Sequence, residues 1–256
     1  MSKVLYNELK KNLGMTDAVN EYIETILRKF QFDYEYDEPI EKIAQQFGIR
    51  VKDVPISDAA KSIRGHYIVS THRIAENYLK DFYRHLITYS MNPPKKKDGD
   101  SYLHAIFVSI VGSSNQNQYA SILYDICEYY RLVRNHIVHI TNEETLIQNK
   151  YNLVQLHKNE FNASYAKLNA PNHFDCLEFD DFVLYSRAFK DLLRFLIDHI
   201  SYDIEKIALS IDAEPFYKYK NSAPRFKSEL GKAIKYDFNL KDQQIESIIN
   251  LVLERC

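Results

Sequence analysis

Glycine, proline and cysteine are scarce in this 256-residue chain, with 6, 7 and 3 copies. Few glycines and prolines leave long segments without a turn signal, and the periodicity inside them is that of amphipathic helix, so a mostly α protein is expected. The three cysteines, Cys127, Cys176 and Cys256, form no Cys-x2-Cys pair, which excludes a zinc ribbon and argues against a disulfide framework. No apolar run approaches the ~20 residues that a membrane-spanning helix needs, and the start, Met1 to Glu8, has no apolar signal-peptide core,. A cytoplasmic protein without a membrane partner is the expectation. Charge of one sign is missing too: 33 basic residues stand against 35 acidic ones, which excludes binding to nucleic acid through the field of the whole molecule. Any such partner must be held by a local patch. What is abundant is apolar surface, 45% of residues, ample for a buried core. The 20 tyrosines accompany many Ile, Lys and Asn, a coding bias to which no function is attached.

Thr16 reads as the N-cap of a helix through Phe30 with Val19, Ile23, Ile26 and Leu27 on its core face, and Pro39 opens a shorter helix through Phe47 that Gly48 closes,. Residues 49–56 read as a short strand or extended link. Ser57 begins a long helix to about Tyr89 with Ala75, Leu79, Phe82 and Leu86 as a core stripe, broken at residues 91–100,. A helix from about Ser101 to Val111 is closed by Gly112, and after a polar turn at 113–117 another runs from about Gln118 to His139. Residues 142–165 are moderately helical, 168–175 hold turn residues, and a helix with a wide apolar face is expected from about Phe179 to Ile207. Pro215 and Pro224 mark a change of character before a terminal helix from about Lys241 to Glu254.

Chemistry gathers in Arg131-Leu-Val-Arg-Asn-His-Ile-Val-His139. An arginine with a histidine five positions on occurs three times, at Arg131/His136, Arg134/His139 and Arg194/His199, and 11 arginines with 9 histidines make such spacing unremarkable,. Only Arg134 is followed by a polar residue, Asn135; Leu132 and Phe195 follow the others. At about 100° per residue, Ile122, Ile126, Tyr129, Val133, Ile137 and Ile140 form a core stripe from which Arg131 and Asn135 point away. Arg134 and His139 fall on opposite shoulders, so an undistorted helix is not expected to join them easily. Cys127, Leu132 and Val138 place apolar groups away from the core, on a side that is expected to pack against something.

The phrase Arg-Asn-x-x-Val-His, late in a helix that follows another helix, resembles the Arg-x4-6-His signature of the HEPN superfamily. The resemblance covers residues 57–207 and implies an antiparallel helical bundle of HEPN type, flanked by helical extensions at 1–56 and 208–256. It implies a metal-independent endoribonuclease without cofactor, of the toxin-antitoxin or antiviral kind, in which the motifs of a homodimer meet in one cleft. Arg134 and His139 would then be catalytic and Asn135 would position phosphate or imidazole, with His136 and Arg131 in support. Histidine exchanges protons at neutral pH and arginine offers a planar fork to phosphate oxygens. The segment Arg73 to Phe82 is similar to an early HEPN helix whose acid points into the cleft, which singles out Glu76; pairing with Lys80 one turn away is its simpler role. Toxin relatives carry a tyrosine two positions after the motif histidine, where this chain has Thr141, so tyrosine adenylylation loses its basis. An antitoxin or sensor protein is an implied partner, and the alternative function is a catalytically silent HEPN-like module that binds nucleotide or protein.

Simpler readings exist for the same residues. Arginine and histidine at a helix C-terminus offset the macrodipole by ~0.3–1 kcal/mol each. A metal site at Asp125, Glu128, His136 and His139 lacks a third ligand at diagnostic spacing. Between Phe216 and Tyr236, Lys218, Lys220, Arg225, Lys227, Lys232 and Lys235 stand against the single acid Glu229, interleaved with Tyr217, Tyr219 and Phe226. Cations beside stackable rings suit single-stranded RNA. Lys95, Lys96 and Lys97 read as a solvated turn.

Overall fold

The structure, a computed structural model, describes residues 2–34, 40–51, 54–112, 117–139, 144–162, 165, 168–219 and 221–255. Their helices are α1 (Ser2–Tyr34), α2 (Ile40–Gln46), α3 (Ile56–Tyr89), α4 (Tyr102–Val111), α5 (Gln118–His139), α6 (Glu144–Leu156), α7 (Lys158–Asn162), α8 (Phe179–Asp198), α9 (Ile204–Ser210), α10 (Ala223–Asp237) and α11 (Asp242–Leu253). A 3₁₀ turn covers Glu214–Tyr219. The mostly α expectation holds. Among the described residues the one β feature is an isolated bridge between Ser90 and Tyr202, and the described residues 49–51 and 54–56 carry no strand; residues 52 and 53 lie outside the described residues.

Where turn chemistry is explicit, the boundaries follow it. Gly48 adopts φ +68°, and the bonds Gly48 N–H to Gln45 O and Ile49 N–H to Ala44 O close α2 as a Schellman turn,. The Ser101 side chain accepts the His104 N–H to cap α4, and Gly112 at φ +86° ends it,. Pro39 and Thr141 lie outside the described residues, as do Ile140 and the polar turn at 113–116.

Two compact units divide the chain, and they are not contiguous in sequence as the division at 56 and 207 is. One comprises residues 1–10, 75–121 and 190–256, the other 11–74 and 122–189. In the first, Ala75, Leu79, Phe82 and Leu86 of α3 are buried as their spacing predicts. Its C-terminal part has a core of its own from Phe226, Leu230 and Ile234 of α10, Ile245, Ile248, Ile249 and Val252 of α11, and Tyr202 and Ile207. Helix α10 went unrecognised in the sequence although Pro224 sits where proline starts helices,. The helix expected to run from Phe179 to Ile207 is two. Met91 N–H bonds Ser201 O and Asp203 N–H bonds Tyr89 O, while the Asp203 carboxylate accepts the Lys206 N–H and starts α9. These backbone bonds keep residues 199–203 out of the helix.

Buried in this unit, His85 lies among the rings of Tyr89, Tyr202 and Phe238 with Nε2 3.1 Å from the Tyr202 hydroxyl. Burial lowers its pKa to about 4. Below pH ~6.5 the unfolded chain takes up a proton that the folded chain refuses until pH falls to about 4,. Stability that is complete above the ordinary histidine pKa is therefore lost as pH falls toward the folded value, by roughly 3 kcal/mol in total. Urea unfolding measured from pH 7 to 4.5 shows that slope in the wild type, and His85→Phe flattens it; equal slopes in both proteins would refute the assignment.

Helix α1, which has residues in both units, corrects the sequence reading. The helix begins at Ser2, not at Thr16, and of its predicted core face only Leu27 is buried. Val19, Ile23 and Ile26 are exposed, and Leu13, Asn20 and Glu24 turn inward. The reason is a partner that sequence periodicity does not contain: Arg64 of α3 donates to the Glu24 carboxylate at 3.0 Å and also pairs with Glu178. Tyr67, one turn along α3, has its pKa pushed up to about 12 by burial and by the Glu24 charge.

Candidate active site

Helix α5 starts where the Asn117 side chain accepts the Ala120 N–H, and it stays helical through His139,. Its stripe behaves as read: Ile122, Ile126, Tyr129 and Val133 are buried and Ile137 is half-buried. Ile137 packs on Gly65 of α3, where an added Cβ would meet Ile137 Cδ1 at 3.3 Å. Sequence periodicity marks Ile137 as core, but only the packing shows that Gly65 lets the motif end of α5 come this close.

The catalytic candidates gather at that end. Arg134 Nη1 donates to Asn135 Oδ1 at 3.1 Å and approaches His139 Nε2 to 3.5 Å. This differs from the wheel expectation that put Arg134 and His139 on separate shoulders. The wheel places Cβ atoms, whereas an arginine spans several ångströms through rotatable bonds. Arg134 Nε is enclosed by protein and has no acceptor among the described residues. An unmet buried donor costs about 1–3 kcal/mol and calls for an explanation in function.

The supporting residues are arranged differently. Arg131 is half-buried and donates to the buried Glu128 at 2.9 Å. His136 sets its ring edge against Phe174 at 5.2 Å, and α5 does not unwind to bring it to Arg134. Glu76 pairs with Lys80 at 3.3 Å on α3, an ordinary i,i+4 contact, and belongs to the other compact unit. Cys127 and Leu132 are buried within this unit, so the apolar side noted in the sequence is covered at these two positions by the chain itself; Val138 remains exposed. Asp125 is engaged by Lys150 at 2.9 Å. Among the described residues no three His, Cys, Asp or Glu side chains gather as a metal-binding group.

Behind the motif lies a polar layer that sequence reasoning missed. Asp181, fully buried at the start of α8, accepts from the Tyr130 hydroxyl (2.8 Å), Asn172 N–H (2.8 Å), Asn172 Nδ2 (2.9 Å) and Glu178 N–H (2.8 Å). Burial pushes its carboxyl above the ordinary range, against the pull of these donors. The Tyr129 hydroxyl donates to Asn172 O, and His72 Nδ1 lies 2.7 Å from the Tyr185 hydroxyl, which the charges of Glu128, Arg131 and Arg134 reach. Asp181 thereby fixes the loop that carries Phe174 against His136. The signal was present, since Asn169, Pro171 and Asn172 precede Asp180-Asp181 at a helix start, but which aspartate turns inward is a tertiary matter.

The basic tail keeps only part of its expected character. Lys218 and Arg225 lie over the Tyr219 ring at 5.1 and 4.6 Å, and Phe226 is buried in the core, where it cannot stack on a base. Lys232 and Lys235 are paired with Glu229 and Asp242. Lys218, Arg225 and Lys227 are exposed, and Lys220 lies outside the described residues.

No helix among the described residues is long and apolar enough to cross a membrane. No family model, curated protein or solved structure was found to match the chain.

Proposed function

We propose that this protein is a metal-independent endoribonuclease of HEPN type, a toxin or defence effector, that cuts RNA at a site shared by two copies of the chain. The observation that carries this reading is the convergence of Arg134, Asn135 and His139 on one guanidinium edge, within 3.1 and 3.5 Å. Helix capping alone asks for positive charge at the end of α5; it does not ask one arginine to reach both an asparagine and a histidine side chain,.

In this mechanism the ribose 2′-oxygen attacks the adjacent phosphorus as a histidine takes its proton, and the bond from phosphorus to the 5′-oxygen breaks as that oxygen receives a proton. The products are a 2′,3′-cyclic phosphate and a 5′-hydroxyl. Two protons move at two places, so one His139 serves as base and the His139 of the second copy as acid. Arg134 presents its N–H groups to the non-bridging oxygens as negative charge grows on them. Asn135 holds the guanidinium between turnovers and, with RNA bound, one phosphate oxygen.

The test is incubation of purified protein with labelled single-stranded RNA and tRNA in EDTA, reading product ends. Cyclic-phosphate ends formed in chelator support the proposal; no cleavage, or cleavage that chelator abolishes, refutes it. In the same system Lys218→Glu with Lys227→Glu is expected to weaken RNA binding and reduce its salt dependence by about two phosphate contacts. Unchanged binding at low salt would remove the tail from the RNA-binding surface.

A further inference from the structure

We infer that Arg131 holds the phosphate next to the one that is cut, so that the site takes a single strand with two successive phosphates; the cut rests on the ribonuclease reading, the second contact on Arg131 itself. Arg131 precedes Arg134 by three residues and Asn135 by four in α5, which puts the three side chains on one face of the helix. From Arg131 to Asn135, and again from Asn135 to His139, the axis advances by about 6 Å, close to the step between neighbouring phosphates of an extended strand. Arg131, Arg134 and Asn135 are half-buried and His139 is exposed, so the face reaches solvent along its length.

The way Arg131 is held leaves its fork available. Its Nε donates to Glu128 Oε2 at 2.9 Å, and among the described residues neither Nη group has an acceptor. The Arg131 side chain is 24% exposed, while Glu128 is buried. An arginine serving only to neutralise a carboxylate favours the two-point contact of fork with carboxylate. Contact through Nε alone instead fixes the guanidinium plane and keeps both Nη groups for an outside acceptor. Phosphate matches that planar pair of donors with two of its oxygens. The acids of α5 are Asp125 and Glu128; Lys150 pairs with the first and Arg131 with the second. The guanidinium of Arg134 has no carboxylate partner on this helix, so the face as a whole favours an anion.

The test gives the full chain the dinucleotide UpA without a terminal phosphate, with a 5′-phosphate, or with a 3′-phosphate. Each is also made with 2′-deoxyuridine, which lacks the attacking oxygen and reports binding alone. One phosphorylated dinucleotide is expected to be cleaved, and its deoxy form bound, about tenfold better than UpA, the worth of one charge-assisted contact. The end that matters shows on which side of the cut Arg131 lies. Because Arg131→Ala strands the buried Glu128 carboxylate, both members of the pair are replaced together. Glu128→Gln with Arg131→Gln is expected to abolish the preference for the terminal phosphate, and Glu128→Gln alone to keep it. The preference is measured within each protein, so a loss of rate common to all three dinucleotides cancels. Equal binding of all three deoxy forms by the wild type, as follows if a carboxylate of a second copy fills the fork, overturns the inference. A preference that the double variant retains does so too. Failure of the ribonuclease reading looks different: no dinucleotide or longer RNA is cut, while the deoxy forms keep a preference that the double variant loses, which leaves Arg131 as a phosphate contact.

Discussion

If the protein is the ribonuclease proposed, alanine at His139 is expected to lower the rate of RNA cleavage by about 10²–10⁴-fold, the usual range for loss of a positioned proton-transfer group. Arg134→Ala is expected to lower it by about 10²–10³-fold, as when a donor aimed at developing phosphate charge is removed. Because Arg134 Nη1 reaches both Asn135 and His139, the two residues act as a unit and their losses do not add: the double variant falls to about the level of the worse single variant. Asn135→Ala, which removes one hydrogen bond from the guanidinium, costs about tenfold. His136→Ala, whose ring packs on Phe174, changes the rate least. Single-turnover cleavage of one labelled RNA by the five proteins gives this order. If the Arg134 and His139 variants, shown by circular dichroism to be folded, cleave as fast as the wild type, the catalytic assignment fails and a silent binding module becomes the better account.

Asp181→Ala is expected to destabilise the protein by about 3–5 kcal/mol, because four donors converge on its buried carboxylate and removing it leaves them enclosed without an acceptor,. For a chain of this size that corresponds to a melting midpoint lower by roughly 10 °C. Tyr130→Phe, which deletes only one of the four donors, costs about 1.5–3 kcal/mol. Asp181→Asn keeps the shape but turns an amide donor toward other donors, and so falls between the two. Thermal unfolding of the three variants decides the matter, and an Asp181→Ala midpoint within a degree of wild type would show that the carboxylate does not hold the loop. The effect reaches the motif, since this loop carries Phe174 against His136, and a protein loosened here loses the wall on one side of α5.

Much of this molecule was legible in one dimension because helices repeat. The limits of α5, the stripe of Ile122, Ile126, Tyr129 and Val133, and the α3 stripe from Ala75 to Leu86 follow from apolar spacing alone,. The ends of α2 and α4 follow from Gly48, Ser101 and Gly112, whose chemistry acts on their own neighbours. The motif residues were also found in sequence, as side-chain types at a spacing, although the sequence by itself set Arg134 and His139 apart.

Tertiary structure decided whatever depends on a partner distant in sequence. Apolar content would have buried Val19, Ile23 and Ile26; Arg64, forty positions from Glu24, turned the helix over by giving a carboxylate somewhere to be buried. A continuous apolar face predicted one helix through Ile207, and backbone bonds from Tyr89 and Met91 broke it at residues 199–203. Asp180 and Asp181 read alike in sequence, and only the fold sends Asp181 into the interior to meet Tyr130 and Asn172. The sequence by itself determined which segments are helical and where its reactive side chains cluster, because backbone preference and side-chain periodicity are local. Which faces are buried, and which polar groups are satisfied inside, was settled by packing, because a buried charge can be accommodated only by a partner that the fold brings to it.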